Sequence, residues 1–391
     1  MRKLRTTLQL SFLALTLAAV FIVKGNAERW CPFGGIEAIY AYFTDGNMPC
    51  SLGVSNFYIL GAVLLMTLLL RRVFCGYVCP IGAISEWIHR WAVRIGINPF
   101  RISHRLDRVL SLLKYGVLAL ILYFTYRTGE LIFRGYDPCY ALLSRHGDDI
   151  TLWAYVVSGF IIAGSILVTI PFCRWLCPLA AVLQPFSKMG LTRVRRDPEA
   201  CTDCGLCAKS CLMAIPIDKD EEITAARCTT CLECVTVCPS AKRGALTWGP
   251  FWAPKRNLPY PVPVIILLLC IMGAVAASVF NPMPSFTYKR GAAIGKVASV
   301  ELGIHDLTCR GRASLLVFFL DRDDEFEIPG YLKLEAWPGP GAAKAKIIYD
   351  PAKADAELVR QAVTEPYYNL GENLWRASPF TIEGYNPFGN H

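Results

Sequence analysis

CTDCGLCAKSC at residues 201–211 and CTTCLECVTVCP at residues 228–239 decide how this chain is read. Each is a CxxCxxCxxxC run, the spacing by which two [4Fe–4S] clusters are held. Three thiolates of a run close around one cubane, and the fourth, one helical turn later, ligates the other. The expected ligand sets are Cys201, Cys204, Cys207 and Cys238 for one cluster, and Cys228, Cys231, Cys234 and Cys211 for the second. Pro239 follows the last cysteine of the second run, whereas Leu212 stands at the matching place in the first. Disulfides or a pair of zinc sites are the competing readings. Tetrahedral zinc sites rarely use four evenly spaced cysteines twice over. The segment is expected to carry electrons.

Outward from these runs the chain is greasy: 54% of its 391 residues are hydrophobic and its mean hydropathy is +0.37. Apolar residues gather in five blocks, near 8–23, 54–70, 109–126, 150–170 and 260–280, each close to the roughly 20 residues that cross a bilayer. The first block doubles as a candidate signal peptide, with Met1-Arg2-Lys3 before it and Gly25-Asn26-Ala27 after it. Residues 71–108 hold seven arginines, while 24–53 hold two basic residues and 127–149 hold three. Basic loops stay in the cytoplasm. Crossings counted from there put residues 171–260 with both cysteine runs inside and everything after Phe280 outside. A reducing cytoplasm suits such clusters. The expected location is therefore a bacterial inner (cytoplasmic) membrane, crossed several times and in contact with lipid. The net charge of +9 is read as topology and anionic-lipid contact, and nucleic acid is not an expected partner.

The membrane part contains a repeat. FCGYVCP (74–80) and FCRWLCP (172–178) lie 98 residues apart, and each is preceded, one crossing earlier, by a cysteine beside a proline, Cys31-Pro32 and Pro138-Cys139. Two helices are thus duplicated. If the halves pack as a pseudo-symmetric pair, Cys75, Cys79, Cys173 and Cys177 meet at the inner membrane surface, and four thiolates at one point hold metal. Three readings stand: a third iron–sulfur cluster or copper, redox-active thiol pairs, or a packing turn whose thiols are small hydrophobes and whose prolines end helices. Cys31 and Cys50 bracket one loop, as a structural disulfide or a redox pair. Cys139 and Cys309 are further candidate redox thiols, and Cys270 is expected to pack. No CxxCH occurs and no histidine falls in an apolar block, so haem is not expected; His89 and His104 are read as surface residues. Asp137 and Glu37 are either proton acceptors for a quinol or helix caps.

Four domains are expected: residues 1–190 with helices one to four and both CxxxCP motifs, a cytoplasmic ferredoxin segment at 191–250, a proline-rich linker with helix five at 251–284, and an extracytoplasmic domain at 285–391. The last reads as strand 297–302, helix from about 308, strand 331–337, strand 345–349, helix 354–363 and strand 380–383. That order, βαββαβ, is an α+β ferredoxin-like sandwich. The fold class is accordingly an α-helical membrane protein with an inserted two-cluster ferredoxin segment and a C-terminal α+β domain.

Trp30-Cys31-Pro32-Phe33-Gly34-Gly35-Ile36-Glu37, the paired FCxxxCP segments and the double cysteine run together resemble the membrane-bound polyferredoxin family, which includes the NapH, NosR and CcoG proteins. The resemblance covers residues 1 to about 250 and by layout is nearest to the CcoG type, with five helices and an outer C-terminal domain. It implies electron transfer between quinol or a cytoplasmic donor and an extracytoplasmic acceptor, a partner reductase or a cytochrome. The alternative it implies is reduction of copper or another thiophilic metal during cofactor assembly. The C-terminal domain is similar to heavy-metal-associated domains, but Arg312 stands where the second cysteine of their CxxC loop belongs, leaving Cys309 alone. No phosphate loop, HExxH or catalytic triad is present. The chain is read as an electron-transfer subunit of a quinol dehydrogenase-like complex rather than an independent enzyme, and no catalytic residue is assigned.

Overall fold

The structure is a computed structural model that describes residues 2–22, 31–45, 55–100, 102–128, 135–143, 151–253, 257–280, 284, 286–291, 296–322, 326–339, 341–369 and 374–385. The first half is helical: α1 (Arg2–Phe21), α2 (Pro32–Asp45), α3 (Ser55–Leu70), α4 (Val73–Tyr77), α5 (Pro80–Arg94), α6 (His104–Leu110), α7 (Leu113–Thr128), α8 (Pro138–Leu143), α9 (Leu152–Leu167) and α10 (Pro178–Lys188). All five apolar blocks lie on helices, α13 (Val262–Phe280) being the last. Among the described residues three stretches are long and apolar enough to cross a membrane: Arg2–Phe21, His104–Arg127 and Val262–Phe280. By contrast α3 and α9 have 16 residues each, a rise of about 24 Å against a hydrocarbon core of about 30 Å. The count of five full crossings is therefore not reproduced by length.

A left-handed residue follows each short helix, Arg71 at φ 64° directly after α3 and Ile170 at φ 45° three residues after α9. For a β-branched side chain that conformation is strained, and it turns the chain sharply into the motif that follows. Each motif then closes in the same way. Cys79 (φ −60°, ψ 116°) and Cys177 (φ −65°, ψ 117°) are extended N-caps, and Pro80 and Pro178 open α5 and α10. Proline forces its predecessor out of the helical region and is itself suited to the first helical position. The two CxxxCP turns thus share one closing geometry. The helices after them pack in exchange: α5 lies against α9, and α10 against α3.

After α10 the chain forms β1 (Thr192–Arg196), which pairs antiparallel with β2 (Leu246–Pro250), Thr192 opposite Pro250 and Arg196 opposite Leu246. This ribbon pins together the two ends of the ferredoxin segment. Between them run α11 (Leu206–Lys209) and α12 (Glu233–Val237) over a core of Val194, Ile215, Ile217, Ile223 and Trp248.

The chain divides into two compact units, residues 1–37 with 55–277, and residues 38–54 with 278–391. In the second, a five-stranded antiparallel sheet runs in the order β3 (Phe286–Lys289), β5 (Tyr331–Trp337), β6 (Ala343–Tyr349), β4 (Ala298–His305), β9 (Thr381–Ile382), with α14 (Arg310–Leu320) after β4 and α15 (Ala356–Thr364) after β6. The expected strand at 297–302 extends to His305. Edge strand β3 and the hairpin of β7 (Tyr367–Asn369) and β8 (Leu374–Arg376) are additions to the expected order. Buried Arg322 closes the C-terminal end of α15 by donating to the carbonyls of Ala362, Glu365 and Pro366.

Candidate iron–sulfur relay

The two cysteine runs share one backbone trick. Asp203 and Gly205 in the first, and Thr230 and Leu232 in the second, take positive φ at matching offsets. These kinks curl each run into a cup whose N–H groups turn inward: the Asp203 N–H donates to Cys201 Sγ and the Ile215 N–H to Cys211 Sγ, each at 3.4 Å. Donors of this kind favour the charged sulfur. One cavity is lined by Cys201, Cys204, Cys207 and Cys238, the other by Cys211, Cys228, Cys231 and Cys234. So each cavity gathers three thiols of one run and the last thiol of the other. Each cavity has a volume of about 20 Å³ at its centre, with the four thiols arranged around it. Burial pushes the Cys211 thiol up to about 12 and raises Cys207, Cys231 and Cys234 as well. A buried thiol set that resists ionising alone suits a cationic iron core, which supplies the missing charge.

The CxxxCP cysteines also come together. Cys75 and Cys173 are buried, the Cys79 and Cys173 thiols are in hydrogen-bond contact, and Cys177 lies within electrostatic reach of Cys75 and Cys79. Gly82 makes room for this: a Cβ there would sit 2.8 Å from the Cys75 carbonyl and 3.9 Å from Cys173 Sγ. Among the described residues no three cysteine, histidine or carboxylate groups close on a single ion position. The ferredoxin thiols surround cavities rather than a point. Arg72, fully buried, reaches the Cys173 carbonyl at 3.4 Å and Cys75 Sγ at 3.9 Å.

The first motif grips the second cysteine run. The Arg72 N–H donates to the Cys228 carbonyl at 3.3 Å, a Cβ on Gly76 would meet the Thr229 carbonyl at 3.3 Å, and Tyr77 donates to the Thr230 carbonyl at 3.3 Å. Arg71 adds bonds to Thr192 and Ala225. Two buried charge bridges hold the same faces together. In one, Arg5 of α1 pairs with Glu86 of α5 and with Glu233 of α12 (3.0 Å), and Arg90 joins Glu233 at 2.8 Å. In the other, Asp107 of α6 pairs with Arg174, inside the second motif, and with Arg227, next to Cys228, while Trp175 donates to it at 2.9 Å. The bonds of Arg5, and of Gln9 to the Gly76 carbonyl at 3.1 Å, make α1 part of the fold.

Remaining candidates sort as follows. Cys31 and Cys139, read as outer-side residues, lie close enough for Cys139 to feel the charge of Cys31, Cys79 and Cys177, because α8 packs on α5, whose first turn Cys79 caps. That nearness sets Cys139 beside motif thiols expected at the opposite membrane face, and it has no signal in the sequence. Cys50 lies outside the described residues. Asp137 Oδ1 accepts the Cys139 N–H at 2.9 Å, a capping bond at the start of α8, and Glu37 is buried. His89 is not a surface residue: it is buried on α5, with Nδ1 3.1 Å from the Ser165 carbonyl of α9. The exchanged packing turns this face of α5 inward. His104 is exposed. Cys270 packs against the core, and Cys309 caps α14.

Residues 52–96 and 150–197, the two CxxxCP halves, match the family described as a 4Fe-4S binding domain, and residues 193–239 match the 4Fe-4S dicluster domain. YccM of Escherichia coli, a proposed electron transport protein, is 27% identical over 297 residues, 70% of this chain and 80% of its own. The ferredoxin-type protein NapH of Haemophilus influenzae is 27% identical over 251 residues, 59% of this chain and 84% of its own. By these matches the chain is similar to membrane-associated polyferredoxins. Protein NirI of Paracoccus denitrificans is 31% identical over 190 residues, 46% of this chain but 28% of NirI. With its 4Fe-4S domains and apolar helices, the chain is an iron–sulfur electron-transfer protein of a membrane. No solved structure matches it.

Proposed function

We propose that this chain conducts electrons along three iron–sulfur centres in series. Cys201, Cys204, Cys207 and Cys238 hold the first, Cys228, Cys231, Cys234 and Cys211 the second, and Cys75, Cys79, Cys173 and Cys177 the third. Such centres supply one-electron chemistry when bound. The chain's own residues hold them, space them and exclude water. The observation that carries this reading is the backbone contact between the first CxxxCP turn and the second cysteine run, Arg72 N–H to Cys228 carbonyl at 3.3 Å. Cys204, exposed on the first set, offers the entry or exit at the far end, and Cys31 and Cys139 lie beyond the third set.

In this reading the ferredoxin segment faces the cytoplasm and the C-terminal domain the outside. Electrons pass between quinol or a cytoplasmic donor and an outer acceptor, such as a reductase or cytochrome partner. The match of both CxxxCP halves to a 4Fe-4S domain favours a cluster there. Reduction of copper or another thiophilic metal is the second reading. It is favoured by the C-terminal unit, where the strands β5, β6, β4 and β9 lie side by side in the order of a heavy-metal-associated domain and Cys309 starts the first helix.

The test is electron transfer across proteoliposomes, from a soluble reductant on one side to an impermeant acceptor on the other. The wild type is expected to transfer, and Cys79→Ser to stop transfer while the ferredoxin clusters remain. Transfer at the normal rate in Cys79→Ser would overturn the three-centre series.

A further inference from the structure

Arg72 sits where a charged side chain is hardest to justify. It is fully buried, and its guanidinium lies among Cys75, Cys173 and Cys177. One nitrogen, Nη2, has acceptors: the Cys173 carbonyl at 3.4 Å and Cys75 Sγ at 3.9 Å. Nε and Nη1 have none among the described residues. Buried donors are paired as a rule, and a buried cation needs both an opposite charge and acceptors for its fork of N–H groups. No carboxylate supplies either: the acids of this region are engaged elsewhere, Asp107 by Arg174 and Arg227, and Glu86 by Arg5 and Arg90. Lys114, also buried, adds a second positive charge near Arg72. The pseudo-symmetry stops here, because the residue matching Arg72 in the second motif is Ile170. A lone guanidinium beside Cys75, Cys173 and Cys177 points to a thiolate-bound group that is anionic overall and carries lone pairs of its own. An iron–sulfur core with its thiolate ligands and sulfides provides both. A bare copper ion offers no acceptor.

We propose that Arg72 is a positioning residue of the CxxxCP site: its free N–H groups donate to the sulfides of a cluster held by Cys75, Cys79, Cys173 and Cys177, and its charge raises that cluster's reduction potential. This rests on the three-centre reading and adds a direction to it. Each transfer moves one electron, oxidising the centre at Cys228, Cys231, Cys234 and Cys211 by one and reducing the CxxxCP centre by one. A fixed positive charge in a low-dielectric site stabilises the reduced, more negative form. Arg72 thereby biases electron flow toward the CxxxCP centre.

The experiment is an iron and copper count, with an EPR-monitored redox titration, on anaerobically purified full-length wild type, Arg72→Gln, Arg72→Lys and Cys79→Ser. The wild type is expected to carry about twelve irons, with one EPR signal absent from Cys79→Ser. In Arg72→Gln that signal titrates at a lower midpoint, or is lost while the other two persist; in Arg72→Lys it is retained with an intermediate midpoint. About twelve irons and an unchanged midpoint in Arg72→Gln would overturn the role of Arg72 and leave the third centre standing. About eight irons in the wild type, with or without copper, would overturn both. Loss of all three signals in both Arg72 variants would make Arg72 a folding residue and sink the proposal.

Discussion

At the scale of single residues, the cysteines of the ferredoxin segment are unequal. Cys207 and Cys234 are buried while Cys204 is exposed. Cys207→Ser is expected to cost one cluster, bringing about twelve irons down to about eight, with the helical content by circular dichroism unchanged. Retention of full iron would mean that Cys207 is no ligand. Protonation should compete with cluster binding here. Burial raises the Cys207, Cys211, Cys231 and Cys234 thiols, so they are neutral around neutral pH and each must release a proton on ligating iron. Loading is therefore favoured as pH rises, and iron retained against a chelator should fall as pH is lowered; a flat profile would refute this. Asp107 is a different case, since it carries no metal and yet joins both cluster loops. Asp107→Asn leaves Arg174 and Arg227 without their shared carboxylate, a loss of about 3–5 kcal/mol for a buried pair. It should show as earlier thermal bleaching of the cluster absorbance.

Among the elements, α2 comes up tightly against α3 at Gly35. A Cβ on Gly35 would stand 2.5 Å from the Asn56 carbonyl and 2.7 Å from Leu60 Cβ, neither of which can swing aside. Gly35→Val is expected to force the helices apart at about 1–3 kcal/mol, read as a lower melting temperature in detergent, and an unchanged melting temperature would argue against the contact. The proline-closed turns were legible beforehand because Cys79-Pro80 and Cys177-Pro178 leave the backbone little choice. The exchange of α5 and α10 between the halves was not: α3 and α9 are apolar on all sides, so their periodicity names no preferred face. His89 was misread for the same reason, its neighbour Ser165 being on the far half. The four motif cysteines could be grouped from the repeat alone. Arg72 gave no such hint, since an arginine at the end of an apolar helix ordinarily marks the membrane boundary.

For the molecule as a whole, the division into two units separates metal from scaffold. All twelve cysteines of the three sets lie in the first unit. Deleting residues 285–391 is expected to leave iron content and the midpoint potentials unaltered, measured on the purified truncated chain; loss of any cluster would show that the second unit takes part in holding it. The exchanged thiols bear on how such a protein is made. Cys211 lines the cavity of the later run and Cys238 that of the earlier one, while α5 must wait for α9 before its buried face is covered. A chain emerging from the ribosome therefore offers no finished ferredoxin nest until residue 234 has been synthesised, and the first of the two only at residue 238. Delivery of iron and sulfide has to follow translation of the whole segment, and a ribosome stalled before that point would present the cell with reactive, unligated thiols.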